Sequence, residues 1–263
     1  MAAYPQLETG ALSQFPVRKT RRMRTVINTA ADGSAVKLGD AAAEITAWDL
    51  TYTELTDGEM AALEQFFDES EGTLRGFTFL DPMGNLLAWS GKLDEDAWAR
   101  EAFLTVAGGV TDPGGGAEAW RIANTGAAPQ GIWQTLEAPG AYTYCLSMYI
   151  RNANAGQEAR ATLLLGEARA ERKVTREWSR IAMTGSGDAS AQTVRFGVEL
   201  PAGAAVEIFG IQAEPQAGAS AYKASTRGGV YEDARFGRDE LPITTTGPGR
   251  HSCAVQIIHV NHL

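Results

Sequence analysis

Histidine and cysteine are scarce in this chain. Its three histidines, His251, His259 and His262, all fall in the last thirteen residues, and its two cysteines, Cys145 and Cys253, stand far apart. Such a pair gives no disulfide framework and no metal spacing. Both lie in apolar, strand-like stretches, where a buried free thiol is expected. A metal site from Cys253, His259 and His262 would need all three together. His251, Cys253 and His259 would share one strand face, but His262 would not, and the step from 253 to 259 exceeds a short chelate spacing. A solvated chain end is the reading, with no metal.

Long apolar runs are also missing. No stretch reaches the roughly eighteen apolar residues of a membrane span, so no membrane insertion is expected. The start, Met1-Ala2-Ala3-Tyr4-Pro5-Gln6, lacks the basic and apolar parts of a signal peptide, and folding in a cytoplasm is expected. There is no Gly-x-Ser-x-Gly elbow, Walker loop or dinucleotide fingerprint. Gly108-Gly109 and Gly114-Gly115-Gly116 have the composition of a phosphate loop, but no helix pattern follows them. No cofactor is expected. Positive charge is in deficit, with a formal net charge of -9, which argues against a wrapping nucleic-acid binder. The local exception is Arg18-Lys19-Thr20-Arg21-Arg22-Met23-Arg24. It reads either as a phosphate or partner contact, or as a solvated strand face or subunit contact.

What is present is mostly strand. The 263 residues are 44% hydrophobic, enough for one or two cores. Thr25-Val26-Ile27-Asn28 is β-prone and precedes a turn at Ala31-Asp32-Gly33-Ser34, beyond which Val36 and Leu38 alternate with polar neighbours. Trp48, Leu50 and Tyr52 alternate with Asp49 and Thr51. One helix is expected over about residues 57–71. Thr56-Asp57-Gly58-Glu59 forms a capping box, and Leu55 and Met60 sit where a hydrophobic staple would lie. Met60, Leu63, Phe66 and Phe67 make its apolar stripe, and Gly72 stops it. Asp68, Glu69 and Glu71 oppose the helix dipole, so a neighbouring cation such as Arg75 is expected to offset them. Phe77–Leu80, the turn Asp81-Pro82-Met83-Gly84 and Asn85–Trp89 read as a hairpin. Residues 90–112 read as a linker anchored by Trp98 and Phe103.

Residues 113–226 hold many short alternating strands separated by glycine-rich turns. Tyr144, Leu146, Met148 and Ile150 share one face, as do Val194, Phe196, Val198 and Leu200. This pattern argues for a β-sandwich. Ile243–Thr246 and Cys253–Ile258 are two more strands around Gly247-Pro248-Gly249. Two strands alone are marginal in water, so they are expected to complete the strand set of the N-terminal region. The expected fold is mostly β, with two sandwich domains. The first is discontinuous (residues 1–95 plus 228–263) and carries the helix. The second (residues 100–226) is inserted into it.

Catalysis is not expected. Paired carboxylates for glycoside cleavage must lie about 5–10 Å apart, and the sequence does not pair Glu199, Glu207 and Glu214. Sugar binding is the more serious reading, because an exposed aromatic face can serve as a platform for a sugar ring. Trp120, Trp133 and Tyr142 are the candidates, each weighed against a place in the core. Trp178, within Arg176-Glu177-Trp178-Ser179-Arg180, reads as packed.

Two stretches carry a family resemblance. Trp48-Asp49-Leu50-Thr51-Tyr52, then Phe66-Phe67-Asp68-Glu69-Ser70-Glu71-Gly72, then Gly76–Asn85 resemble the ring-forming distal tail and minor tail proteins of long-tailed bacteriophages. The second stretch, Val206-Glu207-Ile208-Phe209-Gly210-Ile211-Gln212-Ala213-Glu214 followed by Gly218-Ala219-Ser220-Ala221-Tyr222, resembles an end motif of phage structural modules. Those modules are jelly-roll sandwiches akin to carbohydrate-binding modules. Asp112-Pro113-Gly114-Gly115 and Tyr144–Arg151 fit the same pattern, and Phe209 stands where tryptophan is common. The resemblance implies a structural protein of the virion tail tip, assembled in the host cytoplasm. It implies a homo-oligomeric ring, a trimer or hexamer, that meets the tail tube protein and other tail-tip or hub proteins. DNA would cross the lumen without specific binding, and an outward jelly-roll domain would contact a host-surface glycan. Arg18, Lys19, Arg21, Arg22 and Arg24, with the capped helix, are the candidate subunit contacts. The rival readings are a free carbohydrate-binding protein and a tail-associated glycan hydrolase.

Overall fold

In a computed structural model the described residues are 2–154 and 159–261. The chain passes through β1 (Arg18–Thr29), β2 (Ala35–Leu55), α1 (Asp57–Glu69) and β3 (Phe77–Leu80). It continues through β4 (Ala99–Arg100), β5 (Leu104–Val110), β6 (Ala119–Asn124), β7 (Gln130–Leu136) and β8 (Tyr144–Asn152). Next come β9 (Ala159–Leu165), β10 (Ala168–Val174), β11 (Ser179–Gly185), β12 (Val194–Leu200) and β13 (Ala205–Glu214). The last strands are β14 (Val230–Phe236), β15 (Ile243–Gly247) and β16 (Arg250–Val260). The class is the one read from the sequence, mostly β with one helix, and the described strands form three antiparallel sheets.

The residues divide into two compact units. Met1–Glu8, Ser13–Phe79 and Tyr231–Leu263 form the first, and Thr9–Leu12 and Leu80–Val230 form the second. Residues 80–95, read from the sequence as part of the first domain, therefore cluster with the second unit.

The first unit holds one six-stranded sheet, ordered β1-β2-β16-β14-β3, with β15 paired to β16. Strand β16 runs antiparallel along β2, with Ile257 opposite Trp48 and Val255 opposite Leu50. The alternation of β2 buries Trp48, Leu50 and Tyr52. The stripe of α1 adds Met60, Leu63 and Phe66 to that core. Aromatic edges lock the two together: Phe66 meets Phe77 at 5.0 Å and Trp48 meets Phe79 at 4.9 Å. The helix begins with the capping box, Thr56 Oγ1 accepting from Glu59 N while Glu59 accepts from Thr56 N. It ends two residues before the expected 71, with Ser70 as its C-cap. Arg75 pairs with Glu71 beyond that end.

The second unit is a sandwich of two five-stranded sheets, β10-β9-β12-β7-β4 and β11-β8-β13-β6-β5. Tyr144 of β8 meets Phe196 of β12 edge-on at 5.3 Å, so the core lies between the sheets. Leu146, Met148, Ile150, Val198, Leu200 and Ile208 fill it.

Two local expectations fail. Asn85–Trp89 is not a strand, because its backbone bonds to other partners than β3. Leu86 N donates to Ala213 O at 2.9 Å, Gly229 N donates to Asn85 O at 3.0 Å, and Ala88 N donates to the Gln134 side chain at 3.0 Å. Residues 90–112 are not a bare linker either. They contain β4 and β5, which add edge strands to the two sheets. Of the two expected anchors, Trp98 is buried and Phe103 is exposed.

Candidate functional site

A cavity of about 460 Å³ opens in the second unit, walled by Trp89, Lys92, Trp120, Phe209 and Tyr222. Local backbone features set each ring. Trp120 lies over Gly108 of β5, where an added Cβ would come within 3.0 Å of the indole. Its Nε1 donates to the Gly91 carbonyl at 2.8 Å. Tyr222 rests on Gly210, whose φ is +64° and whose Cβ would meet the ring at 3.0 Å. Only glycine adopts that left-handed geometry without strain. The kink belongs to the irregularity of β13 between Phe209 and Gln212, and Phe209 then meets Tyr222 edge-on at 5.3 Å. Burial pushes the Tyr222 phenol above its ordinary range, although the Ser90 hydroxyl, 3.2 Å away, opposes the shift. The Lys92 ammonium stands 5.5 Å from the Trp89 ring centre.

Buried amides hold the walls. Gln212 is fully buried; its Oε1 accepts from Lys223 N at 2.7 Å and its Nε2 donates to Ala221 O at 3.3 Å. Buried Glu214 accepts from Ser220 N at 3.0 Å. The Gln-x-Glu strand followed by Ala-Ser-x-Tyr is thus a brace: the amide and carboxylate fix the turn that carries Tyr222. Asn85 braces the other wall. Its Nδ2 donates to Ile211 O at 2.9 Å and to Lys223 O at 3.3 Å, and its Oδ1 accepts from Leu87 N and Ala213 N, both at 3.1 Å. One side chain therefore ties the arc leading to Trp89, strand β13 and the Tyr222 turn together.

The aromatic surface continues past the cavity. Arg180, Tyr149 and Phe209 stand directly opposite one another across β11, β8 and β13, so all three point to the same face of the sheet. Tyr149 lies 6.1 Å from Phe209, and the Arg180 guanidinium lies 5.5 Å from the Tyr149 ring. Beside them Arg151 sits 4.7 Å over Trp178 and pairs with Glu207. A strip of half-buried rings edged by guanidinium, ammonium and hydroxyl groups can stack the C–H faces of sugar rings while the donors meet their hydroxyls.

The structure scatters the three residues read as sugar platforms. Trp120 is in the cavity. Trp133 projects from β7 of the opposite sheet, under the Arg195 guanidinium at 4.7 Å, and packs against Gly197 and Gly131. Tyr142 precedes β8 and stacks on the core ring of Tyr144 at 6.5 Å, with burial raising its phenol pKa. Trp89, Phe209, Tyr222 and Tyr149 were not foreseen. Of these, only Tyr222 had a signal, the glycine it faces at Gly210.

The basic run of β1 is divided between two faces. Lys19 stands between Trp48 and Tyr231, at 5.2 and 5.5 Å from their ring centres. Arg21 pairs with Glu44, and Arg24 with Asp40 at 3.6 Å. Arg18 and Arg22 are exposed. The carboxylates are each engaged and dispersed: Glu199 with Arg169, Glu207 with Arg151, Glu214 with Ser220.

Among the described residues no group of three or more histidine, cysteine, aspartate or glutamate side chains could hold a metal. Cys253 and His259 are six residues apart on β16, about 20 Å along a strand. His251 is engaged instead by Asp57 at 2.7 Å and Thr245 at 3.0 Å, and His262 lies outside the described residues. No described helix is long and apolar enough to cross a membrane.

No family model matches the sequence. No curated protein matches it. Among solved structures, the chain is similar to the CBM22-1 xylan-binding domain from Paenibacillus barcinonensis Xyn10C, at 15% identity and a TM-score of 0.43, over 52% of this chain and 97% of that one. A family 22 carbohydrate-binding module of Clostridium thermocellum Xyn10B gives 14% identity and a TM-score of 0.41, over 54% of this chain and 98% of that one. The enzymatically active domain of bacteriophage CBA120 tailspike protein 4 gives 12% and 0.39, over 52% of this chain and 22% of that one. The likeness is one of β-sandwich shape over about half the chain.

Proposed function

We propose that the second unit is a glycan-binding module, carried by a base that assembles into a ring at the distal end of a bacteriophage tail tube. The observation that carries the glycan reading is the aromatic-walled cavity at Trp89, Trp120, Phe209 and Tyr222, continued by the Tyr149–Arg180 strip. A pocket of that size, largely apolar with a few convergent donors, has the make-up of a small-molecule or oligosaccharide site. The role assigned here is binding without cleavage. Weak single contacts would gain strength from repetition around a ring.

The tail-tip reading draws on the sequence resemblance and on where apolar surface is left uncovered. Among the described residues, Phe15, Met23, Ile27, Val36, Leu38, Leu74 and Ile243 are exposed in the first unit, against Phe103 in the second. Exposed apolar side chains gathered in one unit mark a surface made for association. On this reading the ring is a trimer or hexamer that meets the tail tube and other tip proteins, and DNA crosses its lumen without specific contact.

Two experiments test this. The purified chain, screened against bacterial surface polysaccharides, is expected to bind at least one, with binding lost in Trp120→Ala. Absence of binding to all of them at millimolar sugar would remove the glycan role. Particle images are expected to put the chain at the end of the tail tube. A soluble monomer absent from particles would leave a free carbohydrate-binding protein instead.

A further inference from the structure

The distal part of the β1–β2 hairpin has no core behind it. From 21 to 39 every residue except the half-buried Val26 is exposed, although the two strands stay paired from Arg24↔Asp40 to Thr29↔Ala35. Nine residues of strand at about 3.3 Å each give an arm of about 30 Å. Its end is a defined turn, with Asp32 accepting from Ser34 N at 2.9 Å and Gly33 at φ +84°. The arm is also apolar: Met23, Ile27, Val36 and Leu38 are each more than half exposed. Leu38 lies opposite Val26, and Val36 opposite Asn28, so Val26, Val36 and Leu38 share one face. A two-stranded ribbon is marginal in water, and one that bares four large apolar side chains needs a surface to lie on.

Charge identifies that surface. Residues 18–44 carry six basic and three acidic side chains, a balance of +3, in a chain whose total is -9. Within the first unit, α1 is the opposite: Asp57, Glu59, Glu64, Asp68 and Glu69, with no basic residue. Glu64, Asp68 and Glu69 are exposed, and Leu74 lies exposed just beyond the helix. On the arm, Arg22 is exposed, forms no ion pair among the described residues, and belongs to the same alternating set as Val26.

We propose that the arm of one copy lies across the α1 face of the next copy. Arg22 meets Glu64 and Asp68, and Val36 and Leu38, on the same face, cover Leu74. The contact joins two different patches, so it is heterologous and propagates around a ring when the rotation closes. It gives the assembling base of the proposed function its contact surface and rests on that reading.

A charge swap tests it on the full chain, with mass followed by light scattering across a dilution series. Arg22→Glu should weaken assembly by about tenfold or more, since its attractions to Glu64 and Asp68 become repulsions. Glu64→Lys with Asp68→Lys should do the same, and the triple variant carrying all three changes should restore assembly to within about threefold of the original. Leu38→Ser should weaken assembly without moving the melting temperature of the dissociated chain, because its side chain touches no core. An unaltered chain that oligomerises while the arm variants assemble equally well, or a triple variant that is not restored, overturns the arm contact and leaves the ring standing. An unaltered chain that stays monomeric up to about 100 µM, about -5.5 kcal/mol of association, overturns the ring itself.

Discussion

Replacing Asn85 by aspartate keeps the side-chain volume and reverses half of its hydrogen-bonding character. Asn85 is buried and makes four bonds, two as donor through Nδ2 and two as acceptor through Oδ1. In Asn85→Asp the acceptor bonds from Leu87 N and Ala213 N survive, but the carbonyls of Ile211 and Lys223 lose their donor and face a carboxylate. Each abandoned bond costs about 1–3 kcal/mol. The carboxylate must either stay ionised against two carbonyl oxygens or take up a proton. The expected loss at pH 7.5 is about 3–5 kcal/mol, a large share of the roughly 5–15 kcal/mol that holds a domain together. Burial raises the folded-state pKa of the new acid above its unfolded value of about 3.9. The penalty of ionisation is therefore absent below that value and grows as pH rises through the folded one. Urea denaturation of both proteins at pH 5 and pH 7.5 should show the stability gap widening at the higher pH. Because Asn85 also joins the Trp89 arc to the Tyr222 turn, glycan affinity should fall in the fraction that remains folded. A gap under about 1 kcal/mol that ignores pH would refute the bracing role.

Other consequences follow from the same geometry. Tyr222→Ala should reduce glycan affinity by about tenfold, whereas Trp133→Ala should leave it unchanged, as read by isothermal titration. Gly210→Ala forces a left-handed φ of +64° on a residue with a Cβ and presses it on the Tyr222 ring; a stability loss of about 1–3 kcal/mol in denaturation is expected together with weaker binding. Burial pushes the Cys253 thiol from 9.0 to about 11. A neutral thiol held above its unfolded value stabilises fully below pH 9 and loses that contribution as pH climbs toward 11, about 2–3 kcal/mol that Cys253→Ala should abolish in pH-dependent melts. Thr56→Ala removes the N-cap acceptor and should cost about 1 kcal/mol in the same assay.

Much of the fold is legible in the sequence wherever one face of a strand is buried and the other is wet. Trp48, Leu50 and Tyr52 on β2, and Tyr144, Leu146, Met148 and Ile150 on β8, announce themselves by alternation. The capping box at Thr56 and Glu59 fixes the start of α1, since its two bonds are local. Asn85–Trp89 was misread because its apolar residues look like a strand, whereas its backbone is satisfied by Ala213, Gly229 and the Gln134 side chain, partners tens to more than a hundred residues away. The cavity was half legible for a related reason. Trp120 was found as an aromatic on a sandwich strand, but Trp89, Phe209 and Tyr222 come from an irregular arc, a kinked strand and a turn, where no periodicity tells a wall from a core. Residues 21–39 read as ordinary strands, and nothing in their pattern declared that both faces would be open.

The most direct measurement is a titration of the purified chain with an oligosaccharide drawn from whichever surface polysaccharide it retains, followed by the heat of binding in the unaltered protein and in Trp120→Ala. Saturable binding at one site per chain is expected, weakened about tenfold or more by the loss of that indole. An unchanged isotherm in Trp120→Ala, or saturable binding abolished by Trp133→Ala instead, would contradict it.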